Sequence, residues 1–207
     1  IGYNAGGNAV MTGHDNVLVG KDAGQELAAG NGNVMVGRDA GQASNSAEQC
    51  VFIGEDAGFT NIGGDQNTFV GSDAGYLNEG GNGNTYIGKN AGQSMTSGSE
   101  NTMIGGFGGN QVNLDFRAED NNIVLSDGDG NPKFYSRSTG STNGTWFASN
   151  MTAESYWPIV GTSSGQNACS MNNSAGQLGV TTNSSSALFL NRNNADGDLV
   201  LFYSTGT

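Results

Sequence analysis

The chain has 207 residues, 36 of them Gly, and carries 7 Lys+Arg against 19 Asp+Glu for a formal net charge of −12. So acidic a surface repels a phosphate backbone, which excludes nucleic acid as a partner class, and no stretch is apolar and long enough to insert in a membrane as a helix. Hydrophobic residues make up only 35% of the chain, a share compatible with a folded protein only if the glycines are ordered rather than scattered.

They are ordered. Gly20, Gly37, Gly54, Gly71, Gly88 and Gly105 follow one another at intervals of 17 residues, with Gly2 one step of 18 earlier. A second column lies four residues on, at Gly24, Gly41, Gly58, Gly75, Gly92 and Gly109. The unit reads N-(V/T)-Φ-(V/I)-G-x-(D/N)-A-G and then a variable half, as in Asn67-Thr68-Phe69-Val70-Gly71. Its apolar segment is β-branched and aromatic and is bounded by Gly, which specifies a short strand rather than a helix. A unit this short cannot bury its own apolar face, and stacking identical units does so. Residues 1–111 are therefore expected to form a β-solenoid or β-roll of 17-residue rungs, each rising about 4.8 Å, so that six rungs span roughly 30 Å.

Strand alternation separates the apolar columns. Val19, Val36, Ile53, Val70, Ile87 and Ile104 share a face with Val17, Val34, Val51, Thr68, Thr85 and Thr102. Their uniform β-branched character assigns them to the inside of the coil. Leu18, Met35, Phe52, Phe69, Tyr86 and Met103 lie on the opposite face. With both faces apolar, both need cover, so this second column is expected to form a trimer interface between identical parallel chains. Ala23, Ala40, Ala57, Ala74 and Ala91 mark a tight corner beside the second Gly column. Asp22, Asp39, Asp56 and Asp73, with Asn90 and Asn4 in the same position, read as turn residues whose side-chain oxygen closes on a backbone N–H. Asn16, Asn33, Asn67, Asn84 and Asn101 read as a stacked amide ladder, with Cys50 a free thiol in the vacant place. Cys50 and Cys169 give neither a disulfide framework nor a metal spacing.

The period is expected to stop near Gly109, with residues 112–121 as a linker and residues 122–207 as a β-hairpin-rich region. One hairpin is placed at Asn122–Ser136, turning through Asp127-Gly128-Asp129-Gly130-Asn131, and another at Ala187–Ser204. Asp127, Asp129 and Asn131 begin like a calcium loop, but Pro132 stands where Gly is needed and no Glu follows, so a plain turn is the better reading. Between the hairpins Trp146, Phe147, Tyr156 and Trp157 sit among Ser, Thr and Asn. They suit either a small core or a receptor-binding patch. His14 stands beside Asp15 with no Ser or Cys partner, and no acidic pair stands out from the repeat. No enzymatic activity, catalytic residue, cofactor or metal is expected. The chain opens at Ile1, mid-repeat and without Met, and shows no signal peptide; it is expected to be a piece or processed product of a longer protein.

The stretch Asn84-Thr85-Tyr86-Ile87-Gly88-Lys89-Asn90-Ala91-Gly92 resembles repeats of bacteriophage tail fibres, and Asn122–Tyr135 and Leu188–Tyr203 are similar to segments of fibres that end in an endosialidase-type intramolecular chaperone. The resemblance implies an all-β parallel homotrimer, intertwined along its length. It also implies a structural protein of the virion that is extracellular in use, joined to other tail proteins, and that attaches to a host surface glycan or protein. A related roll, with a shorter Ser-Ala-rich repeat, occurs in the heads of bacterial trimeric surface adhesins, the alternative class; a polysaccharide-degrading tailspike is the third. A glycan-cleavage assay separates the last from the others, and the flanking sequence separates the first two.

Overall fold

In a computed structural model the chain divides into two compact units, Ile1–Pro132 and Lys133–Thr207. The structure describes residues 1–7, 10–111 and 113–138 in full, and beyond them the backbone of the strands within residues 143–203. The described residues contain no helix.

The first unit is a parallel β-solenoid. Strands β1 (Val17–Val19), β2 (Val34–Val36), β3 (Val51–Ile53), β4 (Thr68–Val70), β5 (Thr85–Ile87) and β6 (Thr102–Ile104) stack in sequence order. Each is parallel to the next and in register at the 17-residue spacing, Leu18 beside Met35 beside Phe52 beside Phe69 beside Tyr86 beside Met103. The turns are stacked as well. Gly24, Gly41, Gly58 and Gly75 donate their N–H groups to Ala40, Ala57, Ala74 and Ala91 of the following rung. Most of each rung's backbone is thereby satisfied by its neighbours, as buried polar backbone requires.

The solenoid does not stop at residue 111. β7 (Asn110–Gln111) and β8 (Leu114–Asp115) form a small antiparallel hairpin, and β9 (Ile123–Ser126) then returns parallel to β6, with Val124 beside Met103. The segment expected to be a linker is a longer seventh rung. Phe116 is buried within it and meets Phe107 edge-on, ring centroids 5.7 Å apart. Asn122 takes up the next place in the Asn column, its N–H bonded to Asn101 Oδ1 at 2.9 Å. The repeat is hidden in the sequence because Asn101 and Asn122 are 21 residues apart and Ser126 replaces the strand-ending Gly.

The assignment of the two strand faces is reversed. Met35, Phe52, Phe69, Tyr86 and Met103 are wholly buried inside the coil of a single chain, and Val124 joins them; Leu18, at the first strand, is half-buried. The β-branched columns face outward, Val17 being 49% exposed and Ile53, Ile87 and Ile104 about as open. The trimer interface expected at Leu18, Met35, Phe52, Phe69, Tyr86 and Met103 is therefore the core. The reason is the size of the coil. A three-residue strand presents one residue inward and two outward, and the inward one must fill the space left by small neighbours. The Gly column supplies that space: a Cβ built on Gly58, Gly75 or Gly92 would lie 2.8, 2.5 or 2.4 Å from the ring of Phe52, Phe69 or Tyr86. The rings stack along the rod, Phe52 on Phe69 at 5.1 Å and Phe69 on Tyr86 at 4.8 Å between centroids.

The second unit is an antiparallel meander. It runs through β10 (Pro132–Arg137), β11 (Asn143–Phe147), β12 (Pro158–Ser163), β13 (Gln166–Asn173), β14 (Gly176–Asn183), β15 (Ser185–Arg192) and β16 (Leu201–Tyr203), each paired with the next. β15 and β16 align Leu188 with Phe202.

Candidate functional site

The Asn column is an internal hydrogen-bond ladder. The side-chain oxygens of Asn16, Asn67, Asn84 and Asn101 accept the backbone N–H of Asn33, Asn84, Asn101 and Asn122 at 2.8–2.9 Å. Their amides donate to carbonyls such as Gly30 and Gly98 at 2.8 Å. Cys50 keeps part of this. Its N–H reaches Asn33 Oδ1 at 2.9 Å and its thiol lies 3.3 Å from the Gly64 carbonyl. Burial pushes the thiol up to about 11, so it stays protonated and unreactive in the folded rod. The buried Ser44 hydroxyl, six residues before Cys50, has no hydrogen-bond partner. The Tyr86 phenol is likewise raised by burial.

The Asp column forms a turn ladder, although by a different device from the one expected. Asn4, Asp22, Asp39, Asp56, Asp73 and Asn90 all adopt φ between 55° and 62°, a left-handed conformation that Asp and Asn tolerate better than most residues. Their carboxylates bind side chains rather than local backbone. Asp22 accepts from Asn4 Nδ2 at 2.8 Å and pairs with Lys21; Asp39 accepts from Arg38 Nη1 at 2.8 Å; Asp73 accepts from Ser72 Oγ at 2.8 Å. Arg38 also pairs with Glu55 and reaches toward Asp56 at 3.8 Å. The Lys21 hydrogen bond, seconded by that of Asn4, holds the Asp22 carboxyl below the usual carboxylate range. Asp56 moves the other way: desolvation raises it, the Asp39 and Asp73 carboxylates add to the effect, and Arg38 offsets it only in part. Among the described residues no group of three or more His, Cys, Asp or Glu side chains is arranged to hold a metal ion.

Asp127 closes the turn expected after β9. Its Oδ1 accepts the N–H groups of Asp129 and Asn131 at 3.1 and 2.9 Å, and its own N–H bonds the Asn131 carbonyl at 3.1 Å. His14 Nδ1 lies 2.8 Å from Asp15 Oδ2 with both side chains largely in solvent. Of the suggested receptor patch, Trp146 and Phe147 lie in β11, aligned with Tyr135 and Phe134 of β10. Tyr156 and Trp157 lie outside the described residues.

What the sequence reading missed is the outer face of β1–β6 and β9. The signal was present in the spacing: the large residue lies six positions before the second Gly, and that glycine packs directly on it. The outward residues are consequently the flanking β-branched pair. Beyond the ends of β1, β2 and β5 stand Lys21, Arg38 and Lys89, with Glu55 in the same column after β3 and Asp22, Asp39, Asp56 and Asp73 one position on; before their strands stand Asp15, Asp65 and Glu100. Compared with protein-family models, curated proteins and solved structures, the chain matches none.

Proposed function

We propose that the chain is a structural segment of a homotrimeric phage tail fibre that serves host-cell attachment. The observation that carries this reading is the parallel register kept without a slip through seven strands. Such a rod is quasi-one-dimensional and continuously bonded, and it sets distance and direction rather than enclosing a substrate. The repeat's resemblance to fibre sequences supplies the virion setting. Identical chains close around a common axis, and any host contact falls in residues 133–207, outside the repeated rungs. Trp146, Phe147, Tyr156 and Trp157 are the proposed contact residues, toward a surface glycan or protein. The segment carries out no chemistry.

The test combines two measurements on the purified 207-residue chain. Sedimentation equilibrium should return three times the chain mass, and labelled protein should bind host cells with loss of binding when Trp146 and Trp157 are both changed to Ala. A stable monomer overturns the fibre reading. Release of sugars from host polysaccharide, abolished by a single Asp or Glu change, overturns the non-catalytic one.

A further inference from the structure

We infer that the Asn82-Gly83 pair is a site of covalent modification, losing its side-chain amide by spontaneous deamidation when the rung around it opens and keeping it while the rod is closed. The chain contains three Asn-Gly pairs, Asn31-Gly32, Asn82-Gly83 and Asn143-Gly144. Gly has no side chain to shield its nitrogen or restrict its backbone, so in an unfolded chain that nitrogen can reach the Asn side chain before it. Having given up its proton to hydroxide, the Gly83 nitrogen attacks Asn82 Cγ. The new C–N bond closes a succinimide ring, the Cγ–Nδ2 bond breaks, and Nδ2 leaves as ammonia with a proton taken from water. Water then opens the ring at either carbonyl, giving Asp or isoaspartate.

Exposure favours the reaction, since Asn82 and Gly83 both lie in solvent. A second ladder, outside the coil, opposes it. The Asp65 N–H bonds Asn82 Oδ1 at 2.8 Å, the Asn82 N–H bonds Ser99 Oγ at 3.1 Å, and the Ser99 N–H bonds Asp120 Oδ1 at 2.7 Å. The Asn82 carbonyl accepts the Glu100 N–H at 2.8 Å, and the Gly83 N–H donates to the Asp65 carbonyl at 2.9 Å. Both reacting groups are thus tied to Asp65 in the preceding rung, the amide through Oδ1 and the attacking nitrogen through its proton. The ring closes only after those two bonds part, which is a local opening of the rod. Asn31 is restrained in the same way: its Oδ1 accepts the His14 N–H, and the Gly32 N–H donates to the His14 carbonyl, both at 3.0 Å. Its Nδ2 makes a further bond to Glu48 Oε1 at 3.0 Å. The two products differ in fate. Asp already holds this place in other rungs, where Asp65 and Asp120 accept the N–H groups of Glu48 and Ser99 at 2.9 and 2.7 Å. Isoaspartate carries the main chain through the former side chain and adds a backbone carbon to the rung, which the register of β4, β5 and β6 cannot absorb. An opening of the rod is thereby recorded in its covalent structure.

The purified chain is incubated in mildly alkaline buffer, with and without enough guanidinium chloride to abolish the far-UV circular dichroism of the strands. Peptide mapping then resolves Asn, Asp and isoaspartate at each pair. Asn82 should convert at least about tenfold more slowly in the folded chain than in the unfolded one. Ser99→Ala, which releases the Asn82 N–H, should quicken Asn82 in buffer and leave Asn31 unchanged, a selectivity that general unfolding does not give. Asn82→Asp should fold as the parent does by circular dichroism, whereas parent chain aged in denaturant and returned to buffer should recover less strand signal as its isoaspartate content rises. Equal rates at Asn82 in the folded and unfolded chain overturn the proposal, and so does an Asn82 that stays intact in denaturant.

Discussion

Replacing Phe69 with Ala tests the reversed strand. Phe69 is wholly buried, stacked between Phe52 and Tyr86 with centroids 5.1 and 4.8 Å away, and its ring packs on the Gly75 backbone. Truncating a buried Phe costs about 3–5 kcal/mol, and each ring pair is worth roughly 0.5–1.5 kcal/mol beyond its buried area. Neighbouring rungs cannot close the gap, because their spacing is fixed by the backbone bonds on either side. The upper part of the range applies, about 5 kcal/mol, a large share of the stability of an ordinary domain. Guanidinium unfolding followed by far-UV circular dichroism should show this loss relative to the parent, equally at low and high chain concentration, since the contact lies within one chain. The transition should also broaden, as the rungs on either side of the gap uncouple. A loss under about 2 kcal/mol, or one that disappears on dilution, would refute an inward Phe69 and restore it to a surface between chains.

Three further substitutions probe the rod. Cys50→Asn should raise stability by about 1 kcal/mol in urea melts, because the amide can donate to the Gly64 carbonyl and its oxygen can accept the Asn67 N–H, as in the rungs of Asn33 and Asn84. Gly71→Ala should cost at least about 3 kcal/mol, since its φ is 136° and the new Cβ would lie 2.4 Å from the Gly88 carbonyl oxygen; Gly80→Ala, with no atom within 4 Å of its Cβ, should be silent in the same thermal melts. Asp56→Asn should raise the melting temperature at pH 7, because desolvation holds the folded carboxyl above the ordinary carboxylate range. The sign follows from linkage. A raised acid penalises the fold while ionised, and the penalty fades as pH falls through the folded pKa, so the advantage of Asn should vanish by pH 3. An advantage that persists unchanged there would show that charge is not its source.

The rod's chemistry is concentrated where the repeat is most regular. Most rungs place one large apolar side chain, one Ala and one Asn inward, Cys50 standing for Asn in one of them, and the left-handed position two residues after each strand-ending Gly from Gly20 to Gly88 is Asp or Asn. Local conformational preference and packing thus point to the same structure at every rung, the consistency that lets a low-hydrophobicity chain hold one fold.

The sequence by itself determined the period, the place of β1–β6 and the Asn ladder, because these depend on residue type at a fixed spacing. Gly and Asn at recurrent positions leave few conformations open, and stacking identical units repeats each solution along the axis. Alternation also showed that Phe69 and Val70 point in opposite directions. It could not show which direction was inside, since parity divides a strand into two faces without naming either. The tertiary structure decided that, through the width of the coil. Gly75 packs directly on the Phe69 ring and Ala74 beside it is buried, which leaves room for a single large ring per rung. The seventh rung was undecided for a similar reason. The β7–β8 hairpin breaks the spacing between Asn101 and Asn122, but backbone pairing between β6 and β9 depends on position in space, where the two strands are still adjacent.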